Sequence, residues 1–359
     1  MRTWLFNLHL YLALVVGIFV VIIGLTGSIV AFEDDLDHLF NPRLFHVEAS
    51  GTRMQATDLF AAAGLAFPGQ KIGSLRLPQS ETQSVMFTVK GPRQAFLNPY
   101  NGQLLGTRDA KTPLQTIHTT HLSLLMGNTG RIIVASVTGV LLFLVASGIY
   151  LWWPLKRASV KWNSSTRRIS FDLHNVVGIY SATFLVVLGI TGITVYFDGE
   201  IERYLHQRAG SAPVSRNAPS VEQAGATRIS ADQALASAGA ALPGTRPLSI
   251  VLPANAKASY LVIVRYPEDL TPGGRSWVNV DQYSGKVAGL QSSRTAAVAS
   301  RTIILNRAIH TGDILGYPTK VLVSLSSLML LMQTITGYYL WWKKLGNKLA
   351  AEPIRSRES

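Results

Sequence analysis

The sequence contains no cysteine. Disulfide bonds, cysteine-ligated iron–sulfur clusters, c-type haem attachment and thiol catalysis are therefore excluded. Charge is also scarce, because 15% of the 359 residues are charged, against about 25% in an ordinary soluble domain. The motifs G-x-G-x-x-G, G-x-x-x-x-G-K-[ST], H-E-x-x-H and G-x-S-x-G are missing as well. The chain thus carries no common signature of a nucleotide-binding fold, a zinc protease or a serine hydrolase.

Apolar residues are abundant and clustered. Hydrophobic residues make up 48% of the chain, and the mean hydropathy is +0.23. Uncharged apolar runs of 22 or 23 residues occupy 10–32, 132–153, 176–197 and 321–342. About 20 such residues cross a bilayer as a helix. The first run is too long for a cleaved signal peptide, and acidic residues follow it. The sequence predicts a membrane protein with four spans.

The basic residues indicate the orientation of these spans. The net charge is +13 and the pI is about 10.0. Eleven Lys and Arg and three acidic residues lie before the first span, between the second and third, and after the fourth, which places +8 on one side. By the positive-inside rule that side is the cytoplasm, so segments 33–131 and 198–320 lie outside. The basic pI then reflects topology, and nucleic-acid binding is not expected.

The chain also repeats itself. A pattern that includes His9, Gly24 and Gly27 recurs 165 residues later, and a pattern from 121 to 153 recurs 189 residues later. The outer segments repeat too, with Ala-rich helical stretches at 57–69 and 230–244 and strand-like runs at 84–90 and 259–265. A stretch rich in Ser, Ala and Pro at 210–225 is typical of a linker. We interpret the chain as a duplicated helix–domain–helix unit with parallel repeats.

The predicted fold class is a mainly α integral membrane protein with four transmembrane helices and two small extracytoplasmic α+β domains. The predicted segments are 1–33 (first span), 34–117 (first outer domain), 118–155 (second span with its preceding His segment), 156–172 (cytoplasmic loop), 173–198 (third span), 199–306 (second outer domain), 307–343 (fourth span with its preceding His segment) and 344–359 (cytoplasmic tail).

Four of the eight histidines occupy repeat-related positions. His9 and His174 begin the first and third spans at the cytoplasmic face, whereas His121 and His310 precede the second and fourth spans at the outer face. A haem iron with two axial imidazoles needs one neutral histidine from each of two facing segments at one depth. The pattern therefore predicts two bis-histidine haem sites. Two-His zinc or copper sites and simple interfacial hydrogen bonding are the alternatives, and the lack of a nearby carboxylate or cysteine disfavours zinc.

The other candidate residues have weaker patterns. His118 lies one turn before His121 and is a second candidate ligand, but its repeat partner is Arg307. We expect His38, His46 and His206 to be surface residues, and we expect the paired tryptophans at 152–153 and 341–342 to be interfacial anchors. The acidic clusters at 33–37 and 198–202 are interpreted as solvated helix ends. Four basic residues could attract an anion at the outer mouth: Arg131, Lys320, Arg307 and Arg301.

One spacing conflicts with efficient electron transfer between two haem sites. His121 and Trp152 are 31 residues apart, which is about 46 Å along an unbroken helix. Either Gly127 and Gly130 break the helix so that the His121 segment folds inward, or the cytoplasmic site lies deeper in the membrane.

The spans with L-H … G-[LI]-T-G, the spans with H-x5-G … L-W-W and both outer domains resemble the PepSY-associated transmembrane family, whose members are often described as iron-regulated membrane proteins. Within it the chain is most similar to inner-membrane ferric-siderophore (ferrioxamine) reductases. The resemblance covers nearly the whole length. It implies that the outer domains are PepSY-like and periplasmic, and that the cofactor is haem b, with two haems expected. It also implies iron ligation by His9, His174, His121 and His310, with His118 as an addition.

The implied activity is reduction of a ferric siderophore in the periplasm by a bacterial inner-membrane oxidoreductase of iron acquisition. The donor would be quinol or a cytoplasmic or membrane protein, because the inner segments are too short for a flavin or nicotinamide domain. Two other functions stay open. The PepSY-like domains could bind or inhibit a periplasmic peptidase while the spans anchor them, or the protein could transport a metal or siderophore. A transporter would need polar or charged groups along a midplane path.

Overall fold

The computed structural model describes residues 1–89, 91, 93–221 and 225–355, with side chains through residue 346. In chain order the helices are α1 (Arg2–Val30), α2 (Glu33–Phe40), α3 (Pro42–Phe45), α4 (Ala56–Ala66), α5 (Pro113–Ser123), α6 (Gly127–Trp152), α7 (Thr166–Tyr196), α8 (Asp198–Arg208), α9 (Ala231–Ala241), α10 (Val298–Thr311) and α11 (Tyr317–Arg355). The strands are β1 (Ile72–Arg76), β2 (Val85–Val89), β3 (Arg93–Leu97), β4 (Leu104–Asp109), β5 (Arg246–Val251), β6 (Tyr260–Arg265), β7 (Ser276–Val280) and β8 (Val287–Gln291).

The chain forms two compact units. The helical unit contains Met1–Phe32, Thr116–Asp198 and the chain from Ile309 onward, and the sheet unit contains Glu33–Gln115 and Gly199–Ala308. Four helices of the first unit are long and apolar enough to cross a membrane: α1, α6, α7 and Tyr317–Gly346 of α11. Each has between 26 and 31 residues, more than the ~20 that a bilayer requires. The length and composition of these helices confirm the prediction of a membrane protein with four spanning helices.

These four helices pack as a bundle. Helix α1 contacts α6 and α11, and α7 contacts the same two helices. A buried apolar cluster between them includes Val16, Val137 and Leu330. Glycines permit the close approach, because a Cβ on Gly24 would lie 2.8 Å from the backbone oxygen of Ser327. Small residues at helix contacts are the usual device in membranes, where van der Waals packing replaces the hydrophobic effect.

Helices α5 and α6 are separated by a break, as are α10 and α11. After α5, Leu124 and Leu125 have φ angles of 49° and 61°, a region that disfavours non-glycine residues and ends a helix. Gly130 then lets α6 pass the end of α5, because its Cβ would collide with the carbonyl of Ser123. A 3₁₀ turn, Asp313–Leu315, separates α10 from α11. The unbroken helix of about 46 Å between His121 and Trp152 therefore does not exist.

The sheet unit contains one antiparallel sheet of eight strands in the order β4-β3-β2-β1-β5-β6-β7-β8. Strand β1 pairs with β5, with Leu75 opposite Ile250, so the two outer segments join edge to edge. Pairing covers the exposed backbone groups that two separate sheets would leave at these edges. The two predicted α+β segments thus share one sheet.

Helices α4 and α9 cover the same core. Ala63 of α4 and Ala238 of α9 belong to one buried cluster with Phe87, Ile250 and Val278. The two segments are also linked at a helix end, because the carboxylate of Asp232 accepts the backbone N–H groups of Ala56 and Thr57 at 2.8 and 3.0 Å. These two hydrogen bonds satisfy N–H donors that the first turn of α4 would otherwise leave unpaired.

Two expectations about the sheet unit are wrong. Asp37, expected at a solvated helix end, is largely buried and forms a two-pronged ion pair with Arg108 at 2.5 and 2.6 Å. His206, expected at the surface, is 2% exposed and bonds Ser211 and Ser300. Neither burial is visible in the sequence, because the partners lie up to 94 residues away.

The described part of the predicted linker is mostly exposed, but two of its residues are bonded to the sheet unit. The carbonyl of Ala218 accepts a hydrogen bond from Ser259, and Ser220 Oγ accepts one from the backbone of Gln282. Residues 222–224 of this stretch lie outside the described residues. The segment before them runs along the strands of the second half.

Candidate functional site: four histidines in the helical unit

His9 and His174 line one cavity inside the bundle. The cavity has a volume of about 880 Å³, within the range of about 300–1,000 Å³ that small-molecule and cofactor sites have. His9 lies two turns from the start of α1, and His174 lies at the corresponding level of α7. The remaining walls come from α6 and α11, so each of the four spanning helices contributes to this space.

The walls of this cavity have a distinct chemical character. Most of the lining is aliphatic or aromatic, and four basic residues also line it: Arg2, Arg167, Arg168 and Lys344. No Asp or Glu occurs among the described residues that line it. A flat apolar molecule with an anionic edge would match this combination.

The rings of His121 and His310 form a close pair. Their centroids are 6.4 Å apart and their planes are inclined by 33°. Two imidazoles bound on opposite sides of one metal ion, with metal–nitrogen bonds of about 2 Å, have centroids about 6.3 Å apart. The observed centroid separation is close to that value.

Each of the four histidines contacts a Ser-Gly or Thr-Gly dipeptide on a neighbouring helix. The pairs are His9 with Ser147-Gly148, His174 with Thr336-Gly337, His121 with Thr26-Gly27, and His310 with Thr191-Gly192. The distance from ring Nδ1 to the hydroxyl oxygen is 2.8 Å for His9 and 3.0 Å for His174 and His310. We call these four dipeptides the hydroxyl–glycine pairs.

His121 has an additional bond that fixes its protonation pattern. Its Nδ1 lies 3.0 Å from the carbonyl oxygen of Ile23 and 3.4 Å from the hydroxyl of Thr26. A carbonyl oxygen only accepts, so Nδ1 carries the hydrogen and Nε2 carries the lone pair. Metal-binding histidines use this arrangement, in which one nitrogen donates to the protein and the other binds the metal.

The glycines of the hydroxyl–glycine pairs lie against the rings. A Cβ on Gly27 would lie 2.8 Å from His121 Cε1, and one on Gly192 would lie 3.0 Å from His310 Cε1. The corresponding distances to His9 and His174 are both 3.5 Å, an ordinary van der Waals contact. Of the two histidine pairs, only His121 and His310 thus require glycine at the neighbouring position of the dipeptide.

The two histidine pairs lie at opposite ends of the bundle. Along α1, His9 belongs to one pair and Gly27 contacts the other, a difference of 18 residues or about 27 Å. The breaks after α5 and α10 produce this shorter spacing, because they let His121 and His310 turn back against α1 and α7. Of the two explanations for the spacing between His121 and Trp152, the one in which the helix breaks and the His121 segment folds inward therefore holds.

The other candidate histidines lie elsewhere. His118 is half-buried, one turn before His121 on α5, whereas the ring pair is formed by His121 with His310. His38 stacks on Phe45 with ring centroids 4.1 Å apart, and His46 is exposed. Among the described residues no cluster of three or more His, Cys, Asp or Glu could hold a metal ion. Zinc sites usually take three or four protein ligands.

Of the four basic residues predicted to attract an anion at the outer mouth, two contact an acidic or an aromatic side chain in the structure. Lys320 forms an ion pair with Asp313 at 3.4 Å, and both side chains are mostly buried. Arg131 lies over the ring of Tyr196 at 5.3 Å. Arg301 and Arg307 lie on α10 within the sheet unit. The charge expected from Lys320 is therefore compensated locally.

Sequence reasoning missed the hydroxyl groups. Thr26 and Thr191 are 165 residues apart, and Ser147 and Thr336 are 189 apart, which are the same offsets as those of the histidines. A hydroxyl residue before a repeated glycine was the available signal. Asp172 was missed as well. It is fully buried and accepts from Arg157 and Arg168, which ties the 154–165 loop to α7 close to His174.

Comparison with known proteins is consistent with this architecture. A family model described as "PepSY-associated TM region" matches residues 6–344. The match includes all four histidines and all four hydroxyl–glycine pairs. No curated protein matches the chain at a significant level. The match covers well over half of the chain, so this protein belongs to the PepSY-associated transmembrane family.

Proposed function

We propose that the protein is a di-haem b-type membrane cytochrome that reduces a ferric siderophore and releases Fe(II). The observation that carries the proposal is the 6.4 Å separation of the His121 and His310 rings. That value is close to the spacing expected for two imidazoles on one iron, about 6.3 Å. His121 also has its lone pair on Nε2, as an iron ligand requires.

The second haem would be held by His9 and His174 across the 880 Å³ cavity. Haem has a flat apolar ring and two propionate groups, so the aliphatic walls and the basic lining residues suit its two parts. Arg167 and Lys344 are examples of side chains that would meet the propionates. When bound, the two haems would supply one-electron transfer.

The residues of the chain would perform the remaining tasks. The four histidines would bind and orient the haems, and the apolar side chains between the pairs, such as Val16, Val137 and Leu330, would exclude water from the path. The positive-inside rule places the His9–His174 pair at the cytoplasmic face and the His121–His310 pair at the periplasmic face. The sheet unit would then lie in the periplasm as two joined PepSY-like domains of an inner-membrane protein.

Redox chemistry and topology together favour a ferric siderophore as the substrate. A siderophore binds Fe(III) through hard oxygen donors and binds Fe(II) much less tightly. One electron delivered at the periplasmic face converts Fe(III) to Fe(II) and leaves the chelator intact. Because the inner segments lack a nucleotide-binding domain, the electron would come from quinol or from a cytoplasmic or membrane protein.

The first experiment is an optical spectrum of protein purified in detergent from haem-replete cells. We expect a red protein whose reduced form has a sharp α-band and whose haem-to-protein ratio is about two. A colourless protein would refute the cytochrome. Co-purification of a peptidase with such haem-free protein would support the peptidase-binding alternative, and uptake of metal or siderophore by it would support transport.

The second experiment tests the substrate. Chemically reduced protein is mixed with ferric siderophores in the presence of a ferrous-iron chelator that reports colour. Reoxidation of the haems together with trapped Fe(II) is expected. If the haems stay reduced with every ferric chelate but reoxidise rapidly with another acceptor, the cytochrome stands and the siderophore reductase does not.

A further inference from the structure

We infer that the hydroxyl oxygens of Thr26, Ser147, Thr191 and Thr336 are positioning groups that hold the four histidines with the hydrogen on Nδ1 and the lone pair on Nε2. This inference deepens the proposed function and rests on it where haem is concerned. It concerns residues that do not touch the iron and act through the imidazole.

Each of the four hydroxyl groups has a single hydrogen. That hydrogen is donated to the carbonyl four residues earlier on the same helix, a common bond for Ser and Thr within helices. The distances are 2.6 Å from Thr26 to Ile22, 2.8 Å from Ser147 to Phe143, 2.7 Å from Thr191 to Val187, and 2.7 Å from Thr336 to Met332. The hydroxyl oxygen can therefore only accept from the imidazole.

The protonation pattern of each ring follows. For His9, His174 and His310, the nitrogen within 3.0 Å of the hydroxyl oxygen is Nδ1 in every case. Because the oxygen accepts, each Nδ1 must carry a hydrogen, and in a neutral ring the lone pair is then on Nε2. The bond from His121 to the Ile23 carbonyl leads to the same pattern by an independent route.

The glycine completes the contact. The nearest ring atom to each glycine is Cε1, which is bonded to Nδ1. The hydroxyl and the glycine of each dipeptide thus face the same edge of the imidazole, the one that carries Nδ1 and Cε1. The hydroxyl–glycine pairs also connect different helices: α6 holds His9 of α1, and α11 holds His174 of α7.

A hydrogen bond donated by Nδ1 makes an imidazole a stronger electron donor through Nε2. A stronger donor stabilises Fe(III) relative to Fe(II), so removal of the acceptor should raise the midpoint potential of the haem concerned. Loss of such a partner also weakens metal sites by about 10- to 100-fold. The hydroxyls would thus tune both potential and affinity.

The test uses Thr336→Val for the His174 site and Thr191→Val for the His310 site, since valine keeps the shape and removes the oxygen. Thr138→Val and Thr194→Val are the matched controls, because these hydroxyls also donate to a carbonyl four residues earlier, at 2.7 and 2.9 Å. The serine variants Thr336→Ser and Thr191→Ser keep the hydroxyl and should restore wild-type behaviour.

Two readouts are measured. Redox titration should show that one haem component shifts to higher potential in each valine variant and that neither shifts in the controls. Nitrogen NMR of full-length protein labelled at histidine, prepared without haem, should show four rings protonated on Nδ1 in the wild type. The second measurement needs no substitution, so it decides the protonation pattern even if a variant fails to fold.

The outcomes separate this inference from the proposed function. If the wild type binds no haem, the cytochrome is refuted, while the NMR result still supports or overturns the hydroxyl contacts. If haem is present and the valine variants have the potentials of the controls, the positioning role is overturned. Protonation on Nε2 in the haem-free wild type would overturn it as well.

Discussion

The Cε1 atom of His121 lies so close to Gly27 that a Cβ at that position would be 2.8 Å away. His121 is 94 residues further along the chain, on α5. The backbone break at Leu124 and Leu125, directly after α5, lets the ring reach this position. The centroid of the same ring lies 6.4 Å from that of His310. A side chain at position 27 would thus meet a ring of the His121–His310 pair.

Gly27→Ala and Gly192→Ala should therefore displace the His121 or His310 ring. We expect the haem-to-protein ratio to fall from about two towards one in either variant, with the His9–His174 haem retained. Gly148→Ala and Gly337→Ala are the controls, because their Cβ atoms would be 3.5 Å from the ring. Equal haem loss in all four variants would contradict the difference in clearance.

Alanine at the histidines should divide the spectrum into two components. His9→Ala or His174→Ala should remove the component of one haem, and His121→Ala or His310→Ala should remove the other, because each iron loses an axial ligand. Optical spectra at cryogenic temperature resolve the two α-bands. His118→Ala is the control, and loss of a whole component in that variant would make His118 the ligand in place of His121.

Asp37→Asn should destabilise the sheet unit. The carboxylate forms two bonds with Arg108, whose guanidinium also lies over the rings of Phe45 and Phe96. Removal of one partner of a buried pair leaves the other charge without compensation, at a cost of about 3 kcal/mol. The apparent Tm in detergent should fall by several degrees.

The control for that prediction is Asp34→Asn. Asp34 approaches Arg76 at 3.7 Å, but the two side chains are 67% and 50% exposed. An exposed pair of this kind contributes less than about 1 kcal/mol. A fall in Tm as large as that of Asp37→Asn would show that burial does not set the cost.

Asp281 should make the sheet unit sensitive to acid. Burial alone would raise the pKa of this carboxyl, but hydrogen bonds from Ser284, Val221 and Tyr283 outweigh it and lower the pKa below its ordinary value. Its stabilising contribution is therefore present above the unfolded-state pKa of about 3.9 and is lost as the pH falls through the lower folded-state value.

Thermal unfolding between pH 7 and pH 3 checks this dependence. Asp281→Asn should lower the Tm at pH 7 and reduce its fall at low pH, because the amide cannot titrate. Asp58→Asn, at an exposed position on α4, should leave the profile unchanged. If Asp281→Asn has the same Tm as the wild type at every pH between 7 and 3, this role of Asp281 is refuted.

Several features could be predicted from the sequence with the correct location. The four spans follow from apolar runs whose length is compared with a fixed bilayer thickness, and the helices α4 and α9 follow from Ala-rich stretches that end in Pro-Gly. The strands β2 and β6 coincide with the alternating runs at 84–90 and 259–265. All of these depend on composition and periodicity within one continuous segment of the chain.

Other features were decided only by the tertiary structure. The pairing of β1 with β5, the burial of Asp37 and His206, and the contacts between histidines and hydroxyl groups join residues between 71 and 177 positions apart. The sequence by itself determined which histidines recur and which segments can enter a membrane, since both depend on local composition and spacing. Which oxygen accepts from which ring depends on how the helices pack, because a hydrogen bond requires two groups to meet within about 3 Å.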